Sequence, residues 1–449
     1  MFDLVISGGT VVGPEGSRAA TIGITDGTIK AVAGPDEPMP GAEQIDAAGK
    51  YILPGLVDAH SHIPGFFLST RLDDFDSATR AAAVGGVTTI MLMPTEDPRT
   101  STPRYFQLKK EIGEKQSHVD FAIQALVGPR SESIAEMADM GAVSFELFLA
   151  YGGNPDFVIG NDDFELQRVL EMVREAGGIA GVTPHSPSLI QRLTKQAKED
   201  VERPTVATFA ATRPPLSELL GISRALTAAH FTGTRVHVRA LSTRSSVEIV
   251  GRFRELVEVS SEVMSHHLLF TDEDASRFGP YGVIVPPLRP AKERGYLRGA
   301  VRSGDIDMVV SDHSPCLRED KERGHEDIWV SPPGMPGYQT LCASMLALID
   351  ENELTLQHLV RHCAERPARL FKLYPRKGSI APGADADLVI IDPARRMEVR
   401  DSDQYSKADY TTLAGRTVSC LVERVLLRGR TIAREGRCEG SPGGRFVRP

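Results

Sequence analysis

Apolar positions along the chain fall into three zones. Over residues 1–53 they form short, β-branched runs at 2–7, 10–12, 21–25 and 28–33. Gly8-Gly9, Asp26-Gly27 and Gly34-Pro35 break these runs, and Asp26-Gly27 between two of them is a hairpin signal. From residue 54 to 374 the pattern changes. Apolar runs at 56–62, 87–94, 120–127, 142–151, 178–185, 234–242, 257–268 and 306–315 predict eight strands. Amphipathic stretches with helical spacing, such as 162–176, 216–230 and 289–301, lie between them. Eight strand-then-helix units predict an α/β fold, a (β/α)8 TIM barrel, with closing helices at 337–352, 356–363 and 367–373. Strand-like runs return at 386–391, 418–424 and 425–428, ahead of a polar tail after Gly436. Neither terminal segment is long enough to form a good core. Together they predict one small β-sandwich of residues 1–53 and 375–449, set on a barrel of residues 54–374.

Composition narrows the class. The 449 residues hold 51 lysines and arginines against 60 aspartates and glutamates, a net charge of −9, and are 41% apolar. That is a globular mixture, and its acidic balance argues against nucleic acid as a partner. No apolar run is long enough to span a membrane, and the start lacks the basic-then-apolar pattern of a secretory leader. Five scattered cysteines without a CxxC pair form neither a disulfide framework nor a zinc knuckle, so a cytoplasmic chain with reduced thiols is expected.

In such a barrel the chemistry sits at the C-terminal ends of the strands. The first predicted strand ends in Asp58-Ala59-His60-Ser61-His62. Histidines two apart on a strand share a face, so both imidazoles can reach one metal ion. The spacing alone leaves a solvated strand-end pair as the other reading. The eighth strand runs into Ser311-Asp312-His313-Ser314-Pro315-Cys316. An aspartate at the end of an apolar strand is costly to bury unless paired or metal-bound. There it can bind a metal and take a proton from the attacking water, or it is simply a turn or helix-capping aspartate.

With these residues in view, the chain resembles the cyclic amidohydrolases, the dihydroorotase, hydantoinase and allantoinase branch. The resemblance runs through Pro54-Gly55-Leu56-Val57-Asp58-Ala59-His60-Ser61-His62, Gly85-Gly86-Val87-Thr88-Thr89, Arg213-Pro214-Pro215 and Leu241-Ser242-Thr243. It continues through Pro286-Pro287-Leu288-Arg289, an allantoinase-like Ser311–Cys316, Gly334-Met335-Pro336-Gly337 and Gly383-Ala384-Asp385-Ala386-Asp387-Leu388. It implies a metal-dependent barrel with a terminal β-sandwich, zinc as the metal, and a homodimer or homotetramer.

The departures carry as much information. The family's two metals are bridged by a carboxylated lysine at the fourth strand, where this chain has Glu146. The family's sixth-strand histidine falls on Ala240, and His237, three residues away, is expected on the opposite face. His185 matches the fifth-strand histidine. The expected ligand set is therefore His60, His62, His185 and Asp312 with Glu146 nearby, one zinc being favoured over two. Asp312 is the expected catalytic base. Pro64 stands where dihydroorotases carry a substrate-binding arginine, and Val285 and Pro333 replace polar groups of the hydantoinase pocket. Tyr151 matches the hydantoinase tyrosine, and Arg239, His313 and Phe66 complete the expected substrate contacts. His266-His267 is read as packing. The resulting expectation is a hydrolase that opens a cyclic amide, imide or ureide. Its rivals are a metal-free scaffold and a two-metal enzyme bridged by Glu146.

Overall fold

The computed structural model describes residues 1–35, 37–65, 72–150 and 157–449. Tyr151 and Phe66 lie outside these residues. The first strands are β1 Phe2–Val12, β2 Ser17–Thr25, β3 Thr28–Ala33, β4 Gly41–Asp46 and β5 Tyr51–Pro54. Eight parallel strand positions follow: β6 Leu56–Ser61, β7 Val87–Leu92, β8 Asp120–Ile123 continued by β9 Ala125–Leu126, β10 Phe145–Phe148, β11 Ala180–Thr183, β12 Val236–Val238, β13 Val259–Met264 and β14 Met308–Val310. The last are β15 Leu388–Asp392, β16 Met397–Glu398, β17 Thr417–Val418, β18 Leu421–Leu427, β19 Arg430–Arg434 and β20 Arg437–Cys438.

β6 to β14 form the (β/α)8 barrel. One arc runs β6-β7-β8 and the other β9 to β14 in sequence order. Side chains and a backbone bond close it between the first and last strands. The Asp58 carboxylate accepts from the Ser311 amide at 3.1 Å and from its hydroxyl, and the His62 amide donates to the His313 carbonyl at 2.7 Å. Most crossovers carry helices, among them Asp163–Glu175, Pro215–Thr232 and Ala291–Ser303, each within a few residues of its expected span.

The terminal segments build one nine-stranded sheet, in the order β20-β19-β18-β15-β5-β1-β2-β3, with β4 beside β1. β15 lies between β5 and β18, pairing Ile390 with Ile52 and Leu388 with Leu426. Alternation sorts its side chains between two cores. Leu388 and Ile390 pack with Ile6, Ile22 and Ile52 inside the sandwich. Val389 and Ile391 pack with Leu53, Leu56 and Val87 against the barrel. Burial on both faces explains the unbroken apolar run Leu388-Val389-Ile390-Ile391.

Several spans differ from expectation. The break expected at Gly8-Gly9 is an irregularity inside β1, with Gly8 at a φ of 76°. The two runs expected at 418–428 are one strand from Leu421. β4, β19 and β20 are too polar or too short to have been read as strands. The run at 257–268 is a strand only to Met264, so His266 and His267 sit on a short helix, Ser265–Leu269.

Candidate active site

β6 delivers His60 and His62 to the same side of the barrel mouth, their rings 5.4 Å apart. Asp312 follows β14. Its Oδ1 lies 3.4 Å from His60 Nε2 and 3.2 Å from His62 Nε2. One ligand atom from each of the three residues falls within 4.8 Å of the others. The remaining ring nitrogens are held from behind. His60 Nδ1 bonds to Glu262 of β13, and His62 Nδ1 lies 2.6 Å from the Thr95 hydroxyl in the loop after β7. Two imidazoles and a carboxylate, oriented by outer hydrogen bonds, suit a divalent cation such as zinc.

Charge and burial shape the trio. Burial would raise the Asp312 carboxyl, but the imidazoles of His60 and His62 outweigh it and hold Asp312 below its ordinary range. Burial would lower His60, yet the carboxylates of Glu262 and Asp312 prevail and raise it. His62, farther from Glu262, is lowered by burial. Asp312 is ionised at neutral pH, as a metal ligand and proton acceptor must be.

Beside this trio lies a layer of buried polar side chains. Arg239, just past β12, is completely buried. Its Nε and one terminal nitrogen bind the two oxygens of Glu146 at 3.0 and 2.7 Å. Its other donors reach Glu262 Oε2 at 2.9 Å, Gln124 at 2.6 Å and the Ala59 carbonyl at 3.1 Å. His237, two residues before Arg239, also points inward and binds Glu262 Oε2 at 2.9 Å. Glu146 takes a further bond of 2.6 Å from Ser144.

This layer changes two expectations. Glu146 is not among the residues grouped with His60, His62 and Asp312, and both its oxygens are bound by Arg239. Arg239 does not present itself to substrate, because its guanidinium is held inside the barrel. His313 also departs from the reading. It is fully buried and stacked on Tyr338 at 4.1 Å. Its Nε2 lies 3.0 Å from Asp73, and its Nδ1 accepts from the Gly337 amide at 3.1 Å, so no ring nitrogen remains for substrate. His185 is not among the residues whose ligand atoms group with His60, His62 and Asp312; burial and the guanidiniums of Arg289 and Arg213 push it down to about 3.

Glu262, Thr95 and Gln124 were not singled out from sequence. The run 257–268 holds two glutamates, Glu258 and Glu262, and nothing in the sequence marks the second as the buried one. His266 gains interest: its Nε2 is buried without a hydrogen-bond partner, and it lies within electrostatic reach of Asp312 and His60. A separate cleft of about 850 Å3, lined by residues including Gln339, Arg396, Tyr405 and Arg437, contains none of the trio.

Comparison with known proteins agrees with this architecture. The Amidohydrolase family profile matches residues 51–432. An allantoinase of Rubrobacter xylanophilus is 37% identical, covering 100% of this chain and 98% of the relative. An L-hydantoinase of Paenarthrobacter aurescens is 33% identical, covering 100% and 98%. The solved L-hydantoinase (dihydropyrimidinase) from Arthrobacter aurescens superposes with a TM-score of 0.96 at 33% identity, each chain covered in full. The barrel and the terminal β-sandwich are those of a hydrolase, and the chain belongs to the amidohydrolase family.

Proposed function

We propose that this chain hydrolyses a ring carbon–nitrogen bond of a cyclic amide, imide or ureide, with one divalent metal held by His60, His62 and Asp312. The convergence of both imidazole Nε2 atoms on one Asp312 oxygen carries this reading. A metal held by these three residues would supply polarisation of the scissile carbonyl and a water of lowered pKa. Glu262 and Thr95 fix the two imidazoles. Asp312 accepts the proton of the attacking water and passes it to the leaving ring nitrogen. The relatives named allantoinase and hydantoinase support a cyclic ureide or imide as substrate. Zinc suits the two-nitrogen, one-oxygen donor set. The intact trio and these enzyme relatives leave the metal-free scaffold unsupported.

We place the division of the chain at residues 1–53 with 375–449 and at 54–374. Among the described residues no helix is long and apolar enough to cross a membrane. The reduced-thiol reading places the chain in the cytoplasm. Phe164, Leu216, Leu220 and Phe231 are exposed on two adjoining helices, which supports assembly into a homodimer or homotetramer.

The reading is tested with allantoin, hydantoins and dihydropyrimidines as substrates. Asp312→Ala should lower kcat for ring opening by about 10²–10⁴-fold. His62→Ala should lose both turnover and bound metal. Unchanged turnover in both variants would place the chemistry elsewhere.

A further inference from the structure

The family resemblance implies two metal ions joined by a carboxylate at the fourth strand, yet here the carboxylate at that position, Glu146, faces a side chain. We infer that the Arg239 guanidinium takes the place of the second divalent cation, so that the site combines one metal ion with one fixed organic cation. The inference rests on the one-metal hydrolase proposed above and states why the count is one.

Three observations carry it. The first is occupancy. Glu146 sits on β10 at the position of the bridging group, and both its oxygens are bound by Arg239, at 3.0 and 2.7 Å. The same guanidinium binds Glu262, whose other oxygen bonds to the metal-facing histidine His60. Arg239 therefore joins the carboxylate of the fourth strand to the ligand set of the first, as a second cation would.

The second is charge. Among side chains joined by direct ion pairs to this centre, Glu146, Glu262 and Asp312 are acidic and Arg239 is cationic. With the imidazoles of His60, His62 and His237 neutral, as metal ligation requires of the first two, three carboxylates against one guanidinium leave two negative charges in a buried space. One divalent ion neutralises them. Two ions would leave an excess of positive charge, which burial penalises.

The third is the surrounding backbone. Ala240, next to Arg239, is buried and offers only a methyl group where the family has a metal-binding histidine. Opposite, Gly181 pairs with Glu146 across β10 and β11, and a side chain there would run into the Glu146 carboxylate. The missing ligand, the added cation and the cleared space form one arrangement.

The test is a metal count on the full chain, stripped and titrated with manganese(II) alone, by calorimetry and electron paramagnetic resonance. Wild type should bind one ion per chain and show the six-line spectrum of an isolated ion. Two ions with an exchange-coupled spectrum would overturn the inference while leaving the hydrolase reading in place. No bound ion would overturn both.

Arg239→Ala should take up a second ion, whereas Arg239→Lys, which keeps the charge, should remain at one. A merely structural arginine would leave the count at one in both, and that result in a folded R239A protein would overturn the inference. Should R239A fail to fold without metal, recovery of wild-type circular dichroism on refolding with excess manganese(II) supports the inference, and no recovery overturns it.

Discussion

Asp312 and Ala240 share a backbone state that few non-glycine residues occupy, with φ of 46° and 56°. For alanine the left-handed region costs about 1–2 kcal/mol. Its neighbours hold it there. The Arg239 amide donates to the Val182 carbonyl at 2.9 Å, and the Leu241 amide donates to the Glu262 carbonyl at 2.9 Å. The strained turn after β12 thus fixes where the guanidinium enters the barrel. A second residue acts at the same scale on His62. Among the described residues Thr95 is the hydroxyl on its Nδ1, and without it the ring can rotate away from the metal position. Thr95→Ala should weaken metal binding by about 10–100-fold, the usual effect of losing such a partner. Calorimetry measures this, and unchanged affinity would show that Thr95 does not orient the ring. The His60 and His62 pair was legible in sequence because strand periodicity alone puts both rings on one face. The roles of Arg239 and His313 were not legible. Each depends on partners from other strands, Glu146 and Glu262 for one and Asp73 and Tyr338 for the other.

At the scale of elements, the barrel strands were readable because they are buried on both faces, so apolar runs mark them without alternation. Their ends were not, since apolar character continues past the last ladder bond, as at Met264. The short helix Arg318–Glu322 shows a different tension. Its Lys321 is fully buried, and its ammonium meets the Val283 carbonyl at 3.1 Å. Burial pushes Lys321 down to about 8 from an ordinary 10.5. Below pH 8 both folded and unfolded chains carry the proton, and the folded state bears the cost of a buried charge. Between about pH 8 and 10.5 the folded lysine is neutral while the unfolded one still binds a proton, so wild-type stability rises with pH. Lys321→Met removes the charge, and the Val283 carbonyl keeps its bond from the Gly334 amide. The variant should be more stable than wild type at pH 7, by up to about 3 kcal/mol, and lose most of that advantage by pH 10. Chemical unfolding at both pH values decides this, and an advantage that does not shrink would refute the argument.

Across the whole molecule, barrel and sheet are joined by a buried cluster of charges. The Lys377 ammonium lies 2.5 Å from Asp120, 2.9 Å from Asp385 and 2.6 Å from Asp387, and Arg428 also binds Asp120. Asp120 opens β8, whereas Asp387 precedes β15 and Arg428 follows β18, so the cluster ties the strand starts of the barrel to the sheet. Lys377→Met leaves buried carboxylates short of a cation and should destabilise the protein by about 3–5 kcal/mol, read by chemical unfolding. Metal affinity, set at the opposite end of the strands, should stay near wild type in the folded fraction. The sheet itself has a consequence in time. Ile52 pairs with Ile390, so β5 leaves the ribosome far ahead of its partner. At roughly 5–20 residues per second, that wait is on the order of 20–60 s. Until then the first strands have an open edge and an apolar face with nothing to cover it. The nascent chain is therefore most exposed to aggregation early in synthesis, and its sheet can close only after the entire barrel has been made.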